Sequence, residues 1–371
     1  MKKTLALVLA VAMLALSAIG LVGCGETEDT SSTTTIDPKY KGLRFKTDDN
    51  GRYVVYGLSY EGTELVIPAE DPDGKKVEGV ADHAFSGCTQ LVSVAISEGV
   101  EFVDSQAFSD CTALETVVLP DSITQLGTYT FNDCSALKEV TLPAGLENLE
   151  SGVFENCTSL ASIELPSGLK TMGWSFVGCT ALTSVSIPAG LTAFDGYAFR
   201  YCPLTSVSVA AGNTKYVANG NCIIDTETKT LVLGTANSVI PSDGSVTVIG
   251  NAAFEGRSGL TFIEIPAGVT HIGQGAFSET GLTSVSIPTG VVSVANGAFT
   301  ECASLTSISL PGTITEELDF VSFYNCAPGM TILFGGTRND WSSIIPYDDR
   351  SSWKEMDVTI RCTDGNYVWD W

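Results

Sequence analysis

A phenylalanine returns at a nearly constant interval along most of this chain, and this periodicity constrains the fold more than any other feature. Successive members lie 22 to 24 residues apart, except for one step of 55. The members are Phe85, Phe108, Phe131, Phe154, Phe176, Phe199, Phe254, Phe277, Phe299 and Phe323. A unit of about 23 residues cannot close a core of its own, whereas stacked units bury a continuous one. The sequence therefore predicts a repeat solenoid.

Each unit contains a short strand and a turn. The consensus is V-x-x-[VIL]-x-x-x-A-F-x-x-C-x-x-L-x-x-[VI]-x-[IL]-P, as in "AFSDCTALETVVLP" from Ala107 to Pro120. The alternating apolar and polar residues of "LETVVLP" are typical of a strand with one buried face, and the proline ends it. We expect "AFSDC" to form one tight helical turn.

This unit resembles the BspA-like (bacterial surface protein) leucine-rich repeat over about residues 77–326. The resemblance implies a mainly β, right-handed coil with short helical turns, a surface location, and a role in adhesion or protein binding. We expect an N-terminal β cap at 39–76, the solenoid at 77–326 and a C-terminal capping unit at 327–371. The 55-residue step predicts a β-hairpin inserted into one coil at about 212–242, because two β-rich runs, Cys222–Ile224 and Leu231–Leu233, flank "DTETKT".

The first 24 residues read as an export signal. "MKKTLALVLAVAMLALSAIGLVGC" begins with two lysines, continues with an apolar run and ends on Leu21-Val22-Gly23-Cys24. That ending resembles a bacterial lipobox, which implies lipidation of Cys24 and anchoring to the outer face of a bacterial cell membrane. An uncleaved membrane helix is the alternative. Either interpretation places the remainder outside the cytoplasm, with residues 25–38 as a disordered acidic tether.

The recurring cysteines do not predict a metal site. Eight share one column of the repeat: Cys88, Cys111, Cys134, Cys157, Cys179, Cys202, Cys302 and Cys326. A metal needs ligands that converge at one point, whereas this column is a line. Disulfides between adjacent coils are a second possibility, but two coils carry Arg257 and Thr280 in the same column. We favour a small buried residue that fills the core. The states of Cys222 and Cys362 stay open.

Composition and motifs disfavour several function classes. A net charge of −24 opposes nucleic-acid binding. The sequence lacks the common nucleotide, hydrolase and zinc-protease motifs, and its two histidines, His83 and His271, lie far apart. We therefore expect no cofactor, metal or catalytic residue. The loops "DDNG" at Asp48 and "DPDGKK" at Asp71 are interpreted as turns, with calcium binding left open.

One variable column is the best candidate for binding. It stands just before each A-F pair: His83, Gln106, Tyr129, Gly152, Trp174, Tyr197, Ala252, Gly275, Gly297 and Val321. Tyr129 and Trp174 flank Gly152, which predicts a gap of about 10 Å that could admit a sugar ring or a partner's side chain. Tyr129, Trp174 and Tyr197, here called the aromatic edge, are the predicted ligand-binding residues. Alternatively, these rings only cover core edges.

The outward strand positions form a second surface, here called the serine strip. It comprises Ser184, Ser186, Ser206, Ser208, Ser284, Ser286, Ser307 and Ser309. The strip is either a docking face or a means of keeping a sheet soluble. The sequence as a whole favours a non-catalytic module that binds an extracellular protein or glycan and touches the membrane only through its lipid anchor. A polysaccharide-binding or polysaccharide-hydrolysing protein and a passive envelope spacer are the alternatives, and the oligomeric state is left open.

Overall fold

A computed structural model describes residues 40–57, 60–316, 318–346 and 350–367, and it shows a β-solenoid of about 12 turns. The predicted repeat solenoid is confirmed. The predicted export signal, Cys24 and the whole of the predicted acidic tether precede the first described residue, Tyr40, and so lie outside the described residues.

Two rows of short strands run along the solenoid, and they are parallel except at the caps and the insertion. The first row consists of β1 (Arg44–Thr47), β2 (Tyr53–Tyr56), β4 (Gly79–Val80), β6 (Phe102–Val103), β8 (Gln125–Leu126), β10 (Asn148–Leu149), β11 (Thr171–Met172), β14 (Tyr216–Asn219), β15 (Cys222–Asp225), β16 (Thr230–Leu233), β17 (Val248–Ile249), β18 (His271–Ile272) and β20 (Ser293–Val294).

The second row carries the predicted proline-terminated strands. Its members are β3 (Glu64–Ile67), β5 (Ser93–Ile96), β7 (Thr116–Val118), β9 (Glu139–Val140), β12 (Ser184–Ile187), β13 (Ser206–Val209), β19 (Ser284–Ser286), β21 (Ser307–Leu310), β22 (Met330–Phe334), β23 (Val358–Cys362) and β24 (Gly365–Asn366). In β12 the two serines are exposed while Val185 and Ile187 are buried, as the period-2 pattern predicts. In β12–β13 and β19–β21 the serines lie in register, Ser184 opposite Ser206 and Ser284 opposite Ser307.

The third side of each coil holds the A-F-x-x-C segment, and backbone hydrogen bonds link it to the next coil. Phe85 N donates to Ala107 O at 2.7 Å, and Phe108 N donates to Thr130 O at 2.9 Å. Among the described A-F-x-x-C segments, those at Gly196–Phe199 and Phe320–Phe323 are 3₁₀ helices. Most other segments are hydrogen-bonded turns, because residues before the A-F pair and before the cysteine adopt positive φ, which interrupts a right-handed helix.

The phenylalanines form a stack through the core. From Phe85 to Phe199 the neighbouring ring centroids lie 5.3 to 5.7 Å apart and the rings are nearly parallel. A second stack runs from Phe254 to Phe323 at 5.1 to 6.0 Å. Offset stacking of buried rings adds to the free energy gained by removing them from water. Because each repeat unit contributes one phenylalanine, the repeat places one ring per coil at stacking distance from the next.

The predicted hairpin is present, and it lies across the core between the two stacks. Strand β14 pairs antiparallel with β15, β15 pairs antiparallel with β16, and β16 then pairs parallel with β17. Ile223 and Leu233 belong to the core of the first stack, whereas Ile224 and Leu231 belong to that of the second. Because both faces of the hairpin are buried, it divides the solenoid into two blocks.

Two short helices close the C-terminal end. Helix α1 (Arg338–Ile344) begins with a capping box between Thr337 and Asp340, which satisfies free backbone N–H groups at the first turn. Helix α2 spans Arg350–Glu355. Their buried tryptophans, Trp341 and Trp353, meet edge to face at 5.4 Å, and Trp353 covers the ring of Phe323 at 5.9 Å. The last phenylalanine is thus shielded from water.

Candidate functional site: the aromatic edge and the charged junction

Tyr129 does not form one wall of a gap. A Cβ atom added to Gly152 would lie 2.2 Å from the Tyr129 ring, so the ring rests directly on the glycine backbone of the next coil. The prediction of an open gap between Tyr129 and Trp174 is therefore wrong: without a side chain at residue 152, the neighbouring ring occupies that space. Tyr129 itself remains 39% exposed.

Trp174 packs instead against Tyr197 in the following coil. Their ring centroids lie 5.2 Å apart at an interplanar angle of 43°. Asp195 positions both residues, because its carboxylate accepts the backbone N–H of Tyr197 at 3.0 Å and also faces the Trp174 side chain. Trp174 is 51% exposed. The structure thus brings Trp174 and Tyr197 together and leaves Tyr129 on the Gly152 side of them.

The column cysteines are free thiols with a shared hydrogen bond. In seven coils the sulfur lies 3.0 to 3.3 Å from the carbonyl oxygen of the phenylalanine in the preceding coil. Burial raises the pKa of Cys157, and it raises that of Cys326 to about 12. The thiols of Cys157 and Cys326 therefore stay protonated and act as donors at neutral pH. Packing, as predicted, and this hydrogen bond together account for the column.

A charged cluster occupies the boundary between the two blocks, and we call its members, Arg200, Tyr201, Glu255, Arg257 and Glu279, the junction cluster. Arg200 pairs with the buried carboxylate of Glu255 at 2.7 Å, and its guanidinium lies 4.6 Å from the centroid of the Tyr201 ring. Tyr201 in turn donates its hydroxyl to Glu279 at 2.9 Å. One chain of contacts therefore joins the coil before the hairpin to two coils after it.

Arg257 takes the place of the column cysteine in the first coil after the hairpin. It is 1% exposed, and its side chain donates to the carbonyl oxygens of Phe199 at 3.0 Å, Gly234 at 3.2 Å and Glu255 at 2.9 Å. Arg257 therefore makes the hydrogen bond to a phenylalanine carbonyl oxygen that the column cysteines make, and its longer side chain reaches past the hairpin to do so. A buried cation needs such compensation, because desolvation is costly. Burial also lowers the pKa of Arg257 to about 10.

Burial dominates the electrostatics of Glu255. It raises the pKa of this carboxyl group to about 7; Arg200 opposes the shift, and the nearby charge of Glu279 adds to it. The same cluster raises the pKa of Tyr201 to about 12, through burial first and its hydrogen bond to Glu279 second. Glu255 is thus an acid that titrates near neutral pH inside a structural contact.

Comparison with known families identifies the repeat. The family model of the BspA type leucine rich repeat region matches residues 69–174, 113–222 and 234–340, in six copies. The chain belongs to this family. The matched ranges leave out residues 223–233, which contain most of β15 and all of β16. No curated protein matches the sequence.

Solved structures share the architecture of this BspA-type repeat protein. It is similar to a leucine rich cell surface protein from Faecalibacterium prausnitzii (23% identity, TM-score 0.62, covering 85% of this chain and 98% of that one). It is also similar to the pneumococcal vaccine antigen PcpA (15% identity, TM-score 0.56, covering 87% and 91%). A leucine-rich repeat protein from Eubacterium ventriosum follows (16% identity, TM-score 0.50, covering 80% and 77%). At these identities the likeness shows the fold alone.

The two acidic loops of this BspA-type protein use their first carboxylate internally. Asp48 accepts the backbone N–H groups of Asn50 and Arg52, and Asp71 accepts those of Asp73 and Lys75. Both are turns of the predicted kind. Within the described part of the chain, no group of three or more histidine, cysteine or acidic residues could hold a metal ion, and no helix is long and apolar enough to cross a membrane.

Sequence reasoning missed two features. The first is the junction cluster, for which Arg257 in a cysteine column was the available signal, since a charged residue in a core position calls for polar partners. The second is an apolar interruption of the serine strip. The units "LTSVSIP" at 182–188, "LTFIEIP" at 260–266 and "LTSVSIP" at 282–288 show Phe262 at the repeat position that Ser184 and Ser284 hold in other coils, and Phe262 is 72% exposed.

Proposed function

We propose that this protein is a surface-anchored, non-catalytic module whose aromatic edge binds an extracellular macromolecule, either a protein or a glycan. The observation that carries the proposal is the exposed Trp174 packed on Tyr197. Large aromatic rings are the usual anchors of interfaces, and they also stack on sugar rings. Because the coils are joined by continuous backbone hydrogen bonds, these rings are held in place before binding, which lowers its entropic cost.

The surface location rests on the N-terminal pattern and on the family. Residues 1–24 carry the features of a lipoprotein signal, and the similar structure from Faecalibacterium prausnitzii is described as a cell surface protein. In this proposal Cys24 bears the lipid, and the repeat domain stands on the outer face of a bacterial cell membrane. Replacing Cys24→Ser should abolish incorporation of labelled palmitate in the producing cell. Unchanged labelling would contradict the anchor.

The non-catalytic part of the proposal rests on Glu255, which among the residues that the structure describes is the carboxyl group with the most strongly raised pKa and which is buried. A glycosidase acid must reach the glycosidic oxygen of its substrate. The Glu255 side chain is only 5% exposed and is paired with Arg200, so its raised pKa reflects burial inside a structural contact. This arrangement supports binding over polysaccharide hydrolysis.

The experiment is a screen of the soluble domain, residues 40–371, on glycan and extracellular-matrix protein arrays, followed by affinity measurement for any probe that binds. Trp174→Ala should weaken that binding at least tenfold, because the variant removes the largest exposed ring of the edge. The matched control is Tyr324→Ala, because Tyr324 is 49% exposed and lies outside the aromatic edge.

Equal binding by the wild type and Trp174→Ala would refute the role of the aromatic edge. A wild-type domain that binds no probe on either array would favour the passive spacer. Thermal unfolding of both variants, followed by circular dichroism, checks that neither substitution disturbs the fold.

A further inference from the structure

The serine strip contains one apolar break, formed by Val239 and Phe262. These side chains are 71% and 72% exposed, the highest values among the large apolar residues that the structure describes. Both line a shallow groove of about 320 Å³. An isolated exposed apolar residue needs no explanation, but two that share a groove on a flat face resemble the centre of an interface.

The break lies within a continuous surface. Asn221 extends the ladder of β13, because its side chain accepts from Val207 N at 3.0 Å and donates to Thr205 O at 2.7 Å. Val239 lies next to this segment, because its backbone N–H donates to Gly220 O at 2.8 Å. On the other side Thr283 N bonds Thr261 O, which places the Phe262 coil beside β19. Serines therefore border the apolar pair on both sides.

The composition of the groove indicates its partner. Among the lining residues Glu264 carries the only charge, and it is exposed, while none is basic. A second copy of this chain is disfavoured, because two molecules that each carry a net charge of −24 would meet at acidic surfaces and repel each other. A sugar ring can stack on one aromatic face, but it has no apolar side chain to fill a groove that valine, isoleucine and phenylalanine line together. A peptide with an apolar side chain flanked by lysine or arginine would fill the apolar groove and pair with the carboxylate of Glu264.

We propose that Val239, Phe262 and Glu264 form a protein-docking site that takes an apolar side chain of a basic peptide segment, with the serines as its polar rim. Exposed hydroxyl groups adapt to a partner without the cost of burying charge, and an apolar centre inside a polar rim is the usual anatomy of such sites. This site lies on the strand face and does not use the aromatic edge, so each proposal can fail without the other.

The probe is a fluorescein-labelled peptide with a Leu-Phe centre and two lysines on each side, compared with the same peptide carrying glutamates in place of the lysines. Fluorescence anisotropy with the soluble domain should show at least tenfold tighter binding of the lysine peptide. Phe262→Ser, which installs the residue that Ser284 provides in the next coil, should weaken that binding at least tenfold, and so should Val239→Ser. Glu264→Lys should reverse the preference between the two peptides.

Two controls make the test decisive. The first control is Val66→Ser, which removes an apolar side chain that is 42% exposed on β3, in the same strand row but outside the groove. The second control is Trp174→Ala. Both variants should bind the lysine peptide as the wild type does. Absence of binding by the lysine peptide, or equal binding by Phe262→Ser, would overturn the proposal. A wild-type dimer in sedimentation experiments that becomes a monomer in Phe262→Ser would also overturn it, because the occupant would then be a second copy.

Discussion

At the scale of single residues, the cysteine column shows why a repeated residue type can have more than one cause. A thiol is small and apolar enough for the core, and its hydrogen also satisfies the phenylalanine carbonyl of the preceding coil, as Cys134 does for Phe108 at 3.2 Å. Arg257 keeps that hydrogen bond where the hairpin widens the step. In these coils the column position supplies a buried donor to the phenylalanine of the preceding coil, whereas Thr280 in the same column donates to Phe277 of its own coil at 2.9 Å.

Glu255 supplies a prediction of pH dependence. Its pKa in the folded protein, about 7, lies above the usual 4.5, so the native state holds the proton more tightly than the unfolded chain. The contribution to stability is full below pH 4.5 and is lost as the pH rises towards 7, at up to about 1.4 kcal/mol per pH unit. Glu255→Gln cannot titrate, and its free energy of unfolding should fall less steeply over that range.

The measurement is urea denaturation at several pH values between 5 and 7.5, for the wild type, Glu255→Gln and a control. The control, Glu227→Gln, removes a carboxylate that is 80% exposed on the hairpin and should keep the wild-type slope. If Glu255→Gln showed the wild-type slope as well, Glu255 would not titrate in the way that its burial implies.

At the scale of elements, the inserted hairpin repeats the construction of the N-terminal end. There β1 pairs antiparallel with β2, β2 pairs parallel with β4, and Gly57 N bonds Ala84 O at 3.0 Å. In the insertion β15 likewise pairs antiparallel with β16, β16 pairs parallel with β17, and Gly234 N bonds Ala253 O at 2.8 Å. The segments "DDNGRYVVYG" and "DTETKTLVLG" even have equal length. The hairpin is thus built like a second cap inside the solenoid.

The two glycines show why these caps fit. A Cβ atom on Gly57 would lie 2.5 Å from the Phe85 ring, and one on Gly234 would lie 2.0 Å from the Phe254 ring. Each glycine lets the backbone at the end of a cap strand lie flat on the first phenylalanine of a block. The cap therefore takes the place that the ring of a preceding coil would occupy.

At the scale of the whole molecule, this arrangement predicts that the second block folds by itself. A fragment of residues 212–371 retains the hairpin as the cover of its first coil, so the Phe254 ring stays buried and the C-terminal helices close the other end. In solenoids each coil depends mainly on its neighbours. We expect a β-rich circular dichroism spectrum and a cooperative thermal transition.

The matched control is a fragment of residues 236–371, which lacks the hairpin and exposes the Phe254 ring. We expect it to aggregate or to melt at a markedly lower temperature. An unfolded 212–371 fragment, or two fragments of equal stability, would contradict the role of the hairpin as a cap.

The periodic part of this protein was predictable from its sequence. The 23-residue step, the strand alternation and the buried phenylalanine and cysteine columns depend on local spacing, and every coil meets the same neighbours, so one unit predicts the next. The insertion was visible as a break in that step. Its runs "CII" and "LVL" are continuously apolar, which is typical of strands buried on both faces, although the sequence-based prediction placed the hairpin within a single coil.

Only the tertiary structure decided what happens where the repeat departs from its pattern. The Tyr129 ring closes the gap expected beside Gly152, Trp174 turns to Tyr197, and Arg257 finds its acceptors in Phe199 and Gly234. Each outcome depends on contacts between coils that a single unit does not encode. Local spacing determined the solenoid and its core, whereas packing between non-identical neighbours determined the surfaces that the protein presents.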